Sequence, residues 1–64
     1  MKILLDEFMY KNNLTVRQVS IMTGIPKSTI SDIVNGRMPR MDTMEKLAAG
    51  LKIRISDLYT SDYK

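Results

Sequence analysis

Neither cysteine nor histidine occurs among the 64 residues, and the two absences together remove much chemistry. Without thiols there is no disulfide staple for a small core. Without thiols or imidazoles the usual nitrogen and sulfur ligands of structural zinc are missing. An enzyme would have to use carboxylates, serines or lysines in a cleft that so short a chain can scarcely enclose. Asp6 with Glu7, and Asp42 with Glu45, read better as helix-start and surface charges. No apolar run approaches the roughly eighteen residues of a membrane span, and Ile3, Leu4 and Leu5 meet two acids at once. Lack of cysteine is compatible with a reducing cytosol. The chain therefore reads as a soluble, cytoplasmic, non-enzymatic protein with no metal, no cofactor and no membrane contact.

What is present is positive charge in one place. Lys and Arg number 10 against 7 Asp and Glu, a net charge of +3. Between Thr15 and Arg40 lie Arg17, Lys27, Arg37 and Arg40 against Asp32 alone, while six basic and six acidic residues cancel elsewhere. The whole net charge belongs to a central window, which points to a basic face and to an anionic partner.

The spacing of apolar residues predicts a string of short helices within one domain, residues 1–64, with a core over about 4–59 and a fraying tail over 60–64. Leu4, Leu5, Phe8 and Met9 place a first amphipathic helix over residues 2 to about 12, broken by Asn12 and Asn13. Thr15 and Gln18 have the spacing of a capping box, with Leu14 before them as a hydrophobic staple. The second helix then turns Val19 and Met22 inward and ends near Gly24, a residue suited to positive φ. Pro26 can open a third helix over about 27–35, because the first turn needs no amide there. At 100° per residue Ile30, Ile33 and Val34 share one side of it, and Lys27, Ser28, Ser31 and Asp32 the other. Asn35 and Gly36 end it. A basic loop leads to a fourth helix, Met41–Leu51, with Met44, Leu47, Ala48 and Leu51 inward, and a short fifth helix is expected over 55–59. Met9, Met22, Met41 and Met44 all count as core filling, and Tyr59 beside Leu58 as a candidate interface residue.

Two short helices joined by a tight glycine-containing turn, the second apolar on one face and polar on the other, describe a helix-turn-helix. The residues that carry a closer resemblance are Leu14 and Thr15 through Val19 and Ser20, then the run Thr23-Gly24-Ile25-Pro26-Lys27-Ser28-Thr29-Ile30-Ser31, then Asn35-Gly36-Arg37. Pro39, Leu51-Lys52-Ile53 and Asp57-Leu58 extend it. This ordered set resembles the Cro/repressor-type helix-turn-helix family, also called XRE, over about residues 4–59. The resemblance implies an all-α, compact five-helix, lambda-repressor-like DNA-binding domain whose helices 2 and 3 form the motif. It further implies a bacterial or phage transcriptional regulator whose third helix enters the major groove of double-stranded DNA, commonly as a homodimer on a palindromic operator.

Carried over onto this chain, the family pattern puts Lys27, Ser28 and Asp32 where base edges are read. The chemistry fits: Lys27 can donate to guanine O6 and N7, Asp32 can accept from cytosine N4, and Ser28 can serve either way. Asp32 has an alternative role, orienting Lys27 or Arg17. The start of the second helix, at Val16 and Arg17, resembles the place where the family sets a helix N-terminus on the DNA backbone. The family often has Gln where this chain has Val16, which leaves an amide and Arg17 for that task. Thr29, Asn35, Arg37 and Arg40 are the backbone candidates on the other side. The family also tends to pair an arginine and a glutamate where this chain has Met9 and Val34, so those two are expected to touch as an apolar replacement. The rival reading is a protein-interaction module of the same fold, an antitoxin, antirepressor or adaptor, which would expose an apolar patch rather than a basic face.

Overall fold

The computed structural model describes residues 1–63 and contains, in chain order, strand β1 (Lys2–Ile3) and helices α1 (Leu5–Lys11), α2 (Val16–Thr23), α3 (Lys27–Val34) and α4 (Met41–Leu51). A four-residue 3-10 turn (Ile55–Leu58) and strand β2 (Tyr59–Thr60) follow. The core sits where the four helices converge. Leu5 and Met9 come from α1, Val19 from α2, Ile30 and Ile33 from α3, and Met44, Leu47, Ala48 and Leu51 from α4. Ile25 between α2 and α3 and Leu58 at the end of the 3-10 turn complete it. The inward faces expected for α3 and α4 are thus in place, with Val34 packed at the rim. Met9 and Val34 belong to this one apolar assembly, on helices that contact each other.

Both ends of the chain differ from the helical expectation, and for one reason. β1 pairs antiparallel with β2, Lys2 opposite Thr60 and Ile3 opposite Tyr59, and the Leu4 amide donates to the Leu58 carbonyl at 2.7 Å. Residues 2 and 3 are consequently strand, and α1 begins only at Leu5. The helix expected over 55–59 is instead a single 3-10 turn. It is stopped where Tyr59 swings to φ −150° to enter the pairing, so the described residues hold four α-helices rather than five. The Asp57 carboxylate accepts from the Arg54 amide at 3.0 Å and fixes the entry to that turn. Thr60 is paired rather than frayed; Lys64, at the end of the expected tail, lies outside the described residues. Tyr59 packs against the core as well as pairing with Ile3, so part of its surface is already used.

Two of the four methionines assigned to the core lie outside it: Met22 is 46% and Met41 66% exposed. α4 comes close to the end of α2. A Cβ on Gly50 would stand 2.6 Å from the Met22 carbonyl oxygen and 2.7 Å from Thr23 Cα. Backbone fills the space between these helices. Met41 is the first residue of α4, one turn short of buried Met44.

The Gly50 contact reverses an ordinary rule. Gly to Ala inside a helix normally stabilises by about 0.5–1 kcal/mol. Here Gly50→Ala is expected to destabilise by about 1–3 kcal/mol, because two of the three atoms in the way are main chain and must move. Urea denaturation checks it, and an unchanged or raised midpoint contradicts the close packing.

Candidate nucleic-acid interface

The geometry of α2 and α3 begins at Thr15. Its hydroxyl accepts from the Gln18 amide at 3.1 Å, and the Gln18 side-chain oxygen accepts from the Thr15 amide at 2.8 Å. The capping box is complete, as the T-x-x-Q spacing implies. It fixes where α2 starts, and therefore where Val16 and Arg17 stand. Arg17 is exposed, whereas the Val16 side chain packs against the core, which leaves its main chain as the polar part.

The turn from α2 to α3 is held more tightly than glycine alone would manage. Gly24 takes φ 75° and its amide donates to the Ser20 carbonyl at 2.8 Å. The Ser20 hydroxyl reaches across the turn and donates to the Ile25 carbonyl at 2.6 Å. The Thr23 hydroxyl donates to the Val19 carbonyl at 2.7 Å and accepts from the Ile25 amide at 3.3 Å. The Ile25 side chain, 4% exposed, anchors the turn in the core. Ser20, Thr23 and Ile25 entered the sequence reading only as marks of the family resemblance, and their bracing of the turn was missed. The signal was there in the hydroxyl residues flanking the turn glycine, since such side chains readily bond to nearby main chain.

α3 follows with Pro26 at its head, φ −56°, and no side chain capping its first amides. Ile30 and Ile33 are buried; Lys27, Ser28, Asp32 and Asn35 are exposed, and Thr29 and Ser31 half-buried. The residues expected to read bases thus share the outer face of one helix. At its end the Asn35 side-chain amide donates to the Ser31 carbonyl at 2.9 Å. Gly36 takes φ 113°, its amide donating to the Ile33 carbonyl at 3.1 Å and that of Arg37 to the Asp32 carbonyl at 2.9 Å. This is a Schellman closure, which satisfies carbonyls the helix leaves open.

All four basic residues of the central window are exposed, but their settings differ. Arg37 lies 3.4 Å from the Asp32 carboxylate, and Arg40 3.4 Å from Asp42. Asp32 therefore faces Arg37, not the Lys27 or Arg17 expected as its alternative partners. Arg17 and Lys27 form no ion pair among the described residues. Thr29, Arg37 and Arg40 line one shallow depression with Met38, Pro39 and Thr43, so three of the backbone candidates come together there. Arg17 stands apart on α2. Among the described residues no group of three or more acidic residues, histidines or cysteines could hold a metal ion, and no helix is long and apolar enough to cross a membrane.

A helix-turn-helix inside a four-helix core, its second helix polar outward and flanked by arginines, defines a class, and comparison with known proteins agrees. The chain belongs to the Cro/C1-type HTH DNA-binding domain family, whose model matches residues 4–62. It is similar to the HTH-type transcriptional regulator RghRB of Bacillus subtilis (strain 168), a protein itself described as uncharacterized. The two are 41% identical over 56 residues, which cover 84% of this chain and 40% of that protein. The chain thus spans well under half the length of this curated relative. No solved structure matches it.

Ser20→Ala removes the hydroxyl that spans the turn. It is expected to cost about 1 kcal/mol of stability by urea denaturation, and to loosen Ile25 and Pro26 in amide hydrogen exchange while leaving α4 protected. Uniform loss of protection across the domain would contradict a local role.

Proposed function

We propose that this chain binds double-stranded DNA of defined sequence as the DNA-reading part of a small transcriptional regulator, and that α3 is the element that reads. The observation carrying this is the placement of Lys27 and Ser28 on the outer face of a helix whose opposite face is buried, directly after a turn braced by side-chain hydrogen bonds. An α-helix with its side chains is about 10–12 Å across, which suits the roughly 12 Å width of the major groove. Lys27 supplies donors for guanine O6 and N7, and Ser28 a hydroxyl able to donate or accept. Arg17 with the Val16 amide on one side, and Thr29, Asn35, Arg37 and Arg40 on the other, are the groups that hold phosphates. The name carried by the Bacillus relative points the same way for its longer chain. The domain needs no cofactor for this task, and it acts in the cytoplasm where a prokaryotic genome lies.

Binding by a homodimer on a palindromic operator would set two α3 helices about 34 Å apart, one turn of DNA. If each protomer neutralises about four phosphates, affinity should fall with salt at a log–log slope near −7. The second reading, a protein-binding module of the same fold, has its own support. Met1 and Met41 are well exposed and line an apolar groove with Ile3, Pro39, Met44 and Tyr59.

Selection of preferred sites from randomised duplex DNA separates the two. The DNA reading expects a palindrome with half-sites about one turn apart. Lys27→Ala should relax preference at one base pair of each half-site, and Arg37→Ala should weaken binding without changing which sequence is preferred. Salt-sensitive binding without any enriched sequence would leave only a basic surface and favour the protein-binding reading.

A further inference from the structure

Asp32 is the one acidic residue between Thr15 and Arg40, and it stands on the face of α3 turned away from the core. A carboxylate there repels phosphates unless something neutralises it. Its neighbour is already fixed. Arg37 is tied to Asp32 twice, once through the Schellman closure, where its amide donates to the Asp32 carbonyl at 2.9 Å, and once through its side chain, where Nη1 donates to Oδ2 at 3.4 Å. The main-chain bond brings the arginine back over the last turn of the helix, and the side-chain pair aims the guanidinium. Both side chains remain more than half exposed, so the pair is weak and can be opened or shared.

We propose that Asp32 is a positioning residue for Arg37 that restrains binding to wrong DNA, an inference that rests on the DNA reading above. A guanidinium carries five donors in a rigid fork. On a correctly docked site it can keep Asp32 and still donate to a phosphate. On DNA held in any other register it must leave the carboxylate to reach one, and the exposed carboxylate then faces the backbone unpaired. Asp32 thus lowers affinity for random sequence more than for the preferred site.

The test is Asp32→Asn, which keeps shape and removes charge, measured beside wild type, Arg37→Gln and the double variant on the selected site and on random duplex across a salt series. Asp32→Asn is expected to tighten random-sequence binding about threefold to tenfold at low salt, with a salt slope steeper by about 0.9 for each phosphate newly reached. The preferred sequence should stay the same, and the gain should shrink in the Arg37→Gln background. A changed preference at one base pair would make Asp32 a reader of cytosine and overturn the proposal. An equal gain without Arg37 would overturn it as well, because the carboxylate would then act on DNA directly. NMR order parameters of the Arg37 guanidinium in DNA-free protein keep the two levels apart. Arg37 should be more mobile in Asp32→Asn than in wild type, and equal mobility would remove the pairing even if DNA reading stands. Absence of salt-dependent DNA binding by wild type would remove the DNA reading itself, and the proposal with it.

Discussion

The turn between α2 and α3 is held by four hydrogen bonds within the stretch from Val19 to Ile25, two of them donated by the hydroxyls of Ser20 and Thr23. The proposed contact of α3 with DNA rests on that turn. A helix of eight residues has little intrinsic stability in water, and α3 has no side-chain cap at its start. It stands where it does because the turn holds its head, Ile25 sinks into the core beneath it, and the Schellman closure at Gly36 and Arg37 holds its end. A reading face must be rigid to place donors against base edges, and this domain obtains rigidity from main-chain bonds and buried isoleucines rather than from metal or disulfide.

The rest of the fold supports that motif from behind. α4 is the longest helix and supplies four core residues. Its near contact with α2 at Gly50 brings it against the backbone of Met22 and Thr23 and the Thr23 methyl. α1 closes the other side through Leu5 and Met9, and the pairing of residues 2–3 with 59–60 ties the two ends of the described chain together. Small domains bury a low fraction of their surface, so linking the ends spares stability that frayed termini would cost. The net positive charge is gathered between Thr15 and Arg40, over the motif and the loop that follows it, and the charges outside that window cancel.

Much of this was legible in the sequence, and what was not has identifiable causes. The capping box at Thr15, the positive φ at Gly24 and the bounds of α4 are local, and local rules found them. The inward faces of α3 and α4 followed from period alone. Residues 2 and 3 deceived because their apolar pattern continues into α1, and only a strand sixty residues along the chain makes them β. Residues 55–59 deceived similarly, since the same pairing truncates a helical pattern after one turn. Met22 was misplaced although it stands one turn after buried Val19, so the helical period alone does not set how far the buried face of α2 extends. Within the candidate interface, exposure of Lys27, Ser28 and Arg17 accords with the residue types. The partner of Asp32 could not be read from spacing, because the closure at Gly36 brings a residue five positions on back over the helix.

The central claim is that the outer face of α3, and no other surface, meets DNA bases. Amide shifts in NMR spectra of the protein titrated with a duplex recovered by site selection test this most directly. The account predicts that the largest changes fall on residues 27–32 and at Val16 and Arg17, with smaller ones at Arg37 and Arg40. Changes centred instead on the groove of Met1, Ile3, Met41 and Tyr59, with α3 undisturbed, would contradict it.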